Sequence, residues 1–214
     1  YEIYQCDWSS DVCSSDLIVV GSFTRVTNVN SQGVNIATNS RVRFAVLNYT
    51  NGVPRSIGGG NGEPSVGLNG TLVDCVAVNT AGTVAYIGGD FMAITNINWT
   101  NIGQGTVVST ATRVDFAAIS LTTGLPLSIG GTNGEPTPDA RVRAIVYDGV
   151  NSRIYIGGQF AYITNVSWSG TVSYGTVVST RSRIRLAALD PSTGLPISLG
   201  GANGEPCFDS TIQA

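Results

Sequence analysis

Three Glu and three Arg recur at matched places in this 214-residue chain: Glu63, Glu135 and Glu205, each in an Asn-Gly-Glu-Pro string, and Arg41, Arg113 and Arg183, each ahead of an apolar run. A carboxylate and a guanidinium can serve acid–base chemistry, ligand contact or a structural ion pair. Repetition favours the last. A catalytic centre needs one constellation, whereas a residue present once per repeat answers a packing need that every repeat has. The Glu and Arg are therefore expected to pair with each other or to hold turn N–H groups. Asp90, Asp115, Asp139, Asp148 and Asp190 do not recur as a set, and no Asp-x-Asp-x-Asp spacing marks a calcium loop. No catalytic residue, metal or cofactor is expected.

The chain has no His, and all 11 of its basic residues are Arg. Without imidazole there is no Ser-His-Asp or Cys-His pair and no His-containing zinc site. The Gly-rich string from Ile57 to Gly62 lacks the Lys and the following helix of a phosphate loop. Gly88-Gly89 and Gly157-Gly158 are expected to let strands approach closely. Trp99 and Trp168 each lie eight residues beyond a matched Phe, where the first copy has Ser31. They are expected to cap the apolar wedge between repeats. The sharper alternative is an aromatic platform for a glycan, with Asn98 and Ser167 among the neighbouring hydrogen-bonding groups.

The elements that would position these residues come from self-similarity. Phe23, Phe91 and Phe160 stand 68 and 69 residues apart, in VGSF, IGGDF and IGGQF. Thr27-Asn28, Thr95-Asn96 and Thr164-Asn165 follow; then GVNIAT, GTVVST and GTVVST; then the matched Arg; then NGVP, TGLP and TGLP; and last the three NGEP strings. The copies are placed at 18–83, 84–152 and 153–214, the third truncated. Val142–Tyr147 and Arg153–Ile156 predict a hairpin, Ile184–Leu189 a third strand and Pro196–Leu199 an outer fourth. Asn48, Ser120 and Asp190 should each open a turn by bonding its backbone. No window sustains a 3.6-residue period, so helix should be nearly absent.

Four short strands at near-fixed spacing predict an all-β fold: an incomplete β-propeller or propeller-like array of about three four-stranded antiparallel blades. The surplus length falls between the Phe and the next matched Arg, and predicts long insertion loops on one face. Three blades cannot close a ring, so further blades or self-assembly are needed.

The sequence IYIGGxF, then TN, then R-hydrophobic-AA-hydrophobic-D, then TGxP, resembles the delta-60 type repeat of the DUF5122 β-propeller-like family, a kelch-like pattern. The likeness runs from Ile18 to about Ala214. It implies a module of large secreted or surface proteins and no transferable activity. The long insert and the NGEP element depart from the family's commoner pattern.

Tyr1–Leu17 stands apart, with two of the four Cys and no apolar period. Its DWSSDVCSSDL resembles translated read-through of a sequencing adapter, and the segment is expected to belong to no blade. It holds four of the 14 acidic residues and no Arg, so the net charge of −3 becomes +1 without it. Cys75 and Cys207 then remain, with their pairing open. The missing initiator Met and the stop in mid-repeat suggest a reading frame cut by the ends of an assembled, metagenomic DNA fragment. Asn48, Asn69, Asn98 and Asn165 begin N-glycosylation triplets.

The role expected from all this is a non-enzymatic binding or structural scaffold, extracellular or at a cell or particle surface, with a protein or glycan partner. No apolar run is long enough to cross a bilayer as a helix, and no basic patch suggests nucleic acid. The alternatives are a carbohydrate-active enzyme, which would need two non-equivalent carboxylates about 5–10 Å apart, and a lectin-like glycan binder.

Overall fold

A computed structural model describes residues 2–4, 16–67, 72–169 and 175–212. The chain is all-β, built from small antiparallel sheets of two to four strands. Among the described residues there is no α-helix, and no helix is long and apolar enough to cross a membrane.

The first group comprises β1 (Glu2–Tyr4), β2 (Asp16–Val20), the hairpin β3 (Arg25–Val29) and β4 (Asn35–Ser40), β5 (Phe44–Asn48), β6 (Pro54–Arg55) and β7 (Glu63–Val66). The second comprises β8 (Leu72–Val78), β9 (Val84–Asp90), the hairpin β10 (Ala93–Asn101) and β11 (Gln104–Thr112), β12 (Phe116–Ser120), β13 (Pro126–Leu127) and β14 (Glu135–Pro138). The third comprises β15 (Val142–Asp148), β16 (Arg153–Gly158), β17 (Tyr162–Trp168), β18 (Gly175–Ser182), β19 (Leu186–Leu189) and β20 (Pro196–Ile197).

Three four-stranded sheets follow one rule, with orders β1-β2-β5-β6, β8-β9-β12-β13 and β15-β16-β19-β20. Their limits fall one strand ahead of the sequence copies, because β8 and β15 pair with the strands that follow them. Each fourth strand is a two-residue edge opening with Pro, where a missing N–H is harmless. The preceding turns are built as their residue types predict. Thr50 N–H donates to Asn48 Oδ1 (2.8 Å), Thr122 N–H to Ser120 Oγ (3.3 Å) and Ser192 N–H to Asp190 Oδ1 (2.7 Å).

Two expectations are corrected. The insertions are not loops but hairpins, with strands of up to nine residues. Their Thr- and Val-rich segments favour extended backbone, and cross-strand Thr pairs join them: Thr27–Thr38, Thr95–Thr110 and Thr164–Thr180, each 3.2 Å between hydroxyl oxygens. The first residues also belong to a sheet, since Glu2–Tyr4 pairs with β2 and Asp16 and Leu17 lie within β2. Strand pairing uses main-chain groups that any sequence carries. Residues 5–15 lie outside the described residues.

The core consists of two clusters, each lying between successive four-stranded sheets. Ile18, Val20 and Phe44 of the first sheet meet Val76, Ile87 and Ile119 of the second, over Phe91. Tyr86, Phe116 and Ala118 on the second sheet's other face meet Ile145, Ile154 and Leu189 of the third, over Phe160. The glycines set the spacing. A Cβ on Gly88 would stand 2.5 Å from Val142 Cγ1, and one on Gly89 would strike the Leu72 carbonyl. Phe91 and Phe160 are fully buried, whereas Phe23 is partly exposed, since no preceding sheet covers it among the described residues.

Candidate functional site

Each recurring Arg pairs with the Glu of its own copy, beside the segment that leads into the next. Arg41 Nη2 lies 3.7 Å from Glu63, Arg113 Nη2 3.7 Å from Glu135 and Arg183 Nη2 3.5 Å from Glu205. Each guanidinium also donates to the carbonyl of the preceding residue and to that of Arg55, Leu127 or Ile197 on the edge strand. Each carboxylate accepts from a turn N–H, that of Ile57 (3.4 Å), Ile129 (3.4 Å) or Leu199 (3.1 Å). Burial pushes Arg41 and Arg113 below the usual guanidinium range, with Glu63 and Glu135 acting against the shift. Hydrogen bonds from Ser198 and Leu199, with Arg183 nearby, hold Glu205 below the usual carboxylate range despite some desolvation.

A second recurring device was not singled out from the sequence. Asn96 Nδ2 donates to the carbonyls of Gly62 (3.0 Å) and Gly124 (2.9 Å), and Asn165 Nδ2 to those of Gly134 (3.1 Å) and Gly194 (3.0 Å). Both Asn are wholly buried, and each clips one copy to the next. Burial also closes Asn165 to glycan attachment in the folded chain, whereas Asn98 is exposed. The signal was the Asn of Thr-Asn, repeated five residues beyond each matched Phe.

Trp99 and Trp168 are partly buried near the turn end of their hairpins, each opposite a glycine in the register, Gly105 and Gly175. A Cβ on Gly105 would come within 3.0 Å of Trp99 Cε3, and one on Gly175 within 2.7 Å of Trp168 Cε3, so each indole lies over its glycine. Both indole N–H groups are shielded from solvent and have no acceptor among the described residues.

At the first junction Trp99 borders an open groove of about 570 Å³. Ser40, Arg41 and Glu63 line it on one side, and Asn98 and Trp99 on the other. The structure thus brings Trp99 and Asn98 to one place. Ser167 is exposed beside Trp168 in the matching strand of the next junction.

The carboxylates that do not recur are more unusual. Asp115 is buried, has φ of 59° and accepts the Phe91 N–H at 3.2 Å. Its equivalents are Arg43 and Arg185, also left-handed at φ 60° and 64°. Burial pushes the Asp115 carboxyl up to about 7, against the Phe91 N–H, with Asp90 and Asp139 adding repulsion and Arg141 partly offsetting it. Arg141 is itself held by Asp74 across the junction. Among the described residues no group of three or more acidic or Cys side chains could hold a metal ion. Cys75 is buried in β8 and Cys207 is exposed beyond β20.

Compared with known proteins, the chain matches no family model and no curated protein sequence.

Proposed function

We propose that this chain is a non-enzymatic, propeller-like repeat module, a scaffold at an extracellular or cell surface that docks a partner on its projecting hairpins. One observation carries the reading. At matched positions the three hairpins turn an aliphatic side chain to solvent: Ile36 at 70% exposure, Val108 at 45% and Val178 at 47%. Meanwhile the repeated polar side chains are engaged inside the array, Asn96 and Asn165 clipping one copy to the next and the Glu–Arg pairs closing each copy on itself. Three matched apolar contacts on one kind of element suit a protein partner more than a small substrate. The resemblance to delta-60 type repeats and a surface dominated by hydroxyl and amide groups support the location.

The groove at Trp99 favours a second reading, a lectin-like glycan site, because an aromatic ring there borders several polar groups. One set of variants separates the readings. Ile36→Ser, Val108→Ser and Val178→Ser together should abolish binding on a peptide and cell-surface protein array while the fold persists. Loss of glycan-array binding in Trp99→Ala, with the triple variant unaffected, would favour the second. Turnover of chromogenic glycosides that disappears in Asp115→Asn would contradict both.

A further inference from the structure

Successive copies are joined by strand addition, and among the described residues the first and third copies each leave one half of that joint unpaired. At the first junction β7 pairs with β10, Glu63 opposite Ile97 and Val66 opposite Ile94. At the second, β14 pairs with β17 in the same register, Glu135 opposite Val166 and Pro138 opposite Ile163. The equivalent segment Glu205–Phe208 has no strand partner among the described residues, and Phe208 is 43% exposed where Val66 is fully buried. The equivalent receiving strand, β3, pairs only with β4 among the described residues. Its Val29 is 56% exposed, where its counterparts Ile97 and Val166 are buried.

The polar clip shows the same half-occupancy. Asn28 Nδ2 donates to Gly52 O at 3.1 Å, as Asn96 does to Gly124 O, but its second acceptor would be the counterpart of Gly62, which is Gly204. A Cβ on Gly62 or Gly134 would strike the neighbouring hairpin, whereas one on Gly204 meets nothing within 4 Å. The tail after Gly204 already follows the course of a new copy. Arg185 donates to Phe208 O as Arg43 donates to Val66 O, and Ile212 lies against Gly157 as Val142 does against Gly88. What fits this end is therefore another copy of the same fold.

We propose that the chain self-associates head to tail, with Glu205–Phe208 of one copy adding as a third strand to the β3–β4 hairpin of a second copy, Glu205 opposite Val29 and Phe208 opposite Val26. Pairing to an open edge supplies main-chain hydrogen bonds, and the apolar faces of the end sheets meet alongside. Such an interface is heterologous, so it closes into a ring or grows into a filament rather than stopping at a symmetric dimer. The proposal rests on the repeat geometry and not on docking at the hairpins, so a folded, monomeric protein would remove it and leave that function standing.

The register places Thr27 opposite Cys207, and directly opposed residues of an antiparallel pair are about 4.5–5.5 Å apart, within disulfide range. In a full-length background with Cys6→Ser and Cys13→Ser, Thr27→Cys should give a ladder of disulfide-linked multimers on a non-reducing gel. Val26→Cys, on the opposite face of the strand, should give at least tenfold less. Sedimentation of the unmodified chain should show mass rising with concentration, and Phe208→Asp, at an exposed site, should weaken that association at least tenfold with circular dichroism unchanged. A monomer throughout the micromolar range, a dimer that plateaus without the Thr27→Cys ladder, or association indifferent to Phe208→Asp would each overturn the proposal.

Discussion

The second and third sheets have the same strand order, yet their outgoing faces differ in cover. On the second, Ala77, Tyr86 and Phe116 are buried against the third sheet. On the third, the matching Val146 is 54% exposed, and Tyr155 and Leu186 are only partly covered. The incoming face of the first sheet is its mirror: Leu17, Val19 and Leu47 are partly exposed where Ala85, Ile87 and Ile119 are buried. A copy of this repeat does not bury its own apolar faces; a neighbour does it. Stability should then concentrate at the two internal junctions and fade toward both ends, as in other nearest-neighbour arrays.

The widest expected contrast lies in the matched phenylalanines. Phe91→Ala should cost about 3–5 kcal/mol in denaturant unfolding, as a large core cavity does, and Phe23→Ala less than about 1.5 kcal/mol. Equal losses would break the comparison. Asn96→Ala should cost about 2–3 kcal/mol by stranding two buried carbonyls, against under about 1 kcal/mol for Asn28→Ala, which loses one bond at a more open site.

Asp115 sharpens the comparison through pH, because only the second copy carries an acid there. With its carboxyl held near 7 against an ordinary 3.8, the folded state keeps a proton that the unfolded chain has shed. Its contribution is therefore fullest below about pH 4, declines as pH rises toward 7, and is flat above. Asp115→Asn should remove that slope and raise stability at pH 8 by roughly 2 kcal/mol, measured by thermal unfolding across pH 4–8. The smallest effect is expected near the hairpin turns. Trp99→Ala should loosen β10–β11 by about 1 kcal/mol, read as faster amide exchange confined to that hairpin.

Much of this was legible because repetition amplified weak signals. One Pro-Ile pair says little, but Pro after Asn-Gly-Val or Thr-Gly-Leu three times marks an edge strand. The Glu and Arg pairing followed from recurrence, without any knowledge of the sheets. The hairpins were hidden because they project beyond the body. With both faces of Thr106–Ser109 exposed, the alternation that marks a half-buried strand is lost, and only β-propensity remains. The strand exchange between copies was also unreadable, since a four-residue Glu-Pro segment carries no sign of which hairpin it joins. Asp115 stood out only as one of five Asp that do not recur, because its setting is made by Asp90, Asp139 and Arg141, which sequence separates and folding gathers.

The central claim is that each copy is completed by its neighbour, and lengthening the array tests it most directly. A chain extended by one further copy of residues 143–212 should unfold cooperatively at a higher denaturant midpoint with a steeper dependence, and amides of β16 and β19 should become as protected as those of β9 and β12. An unchanged midpoint, with the third sheet exchanging as before, would contradict the account.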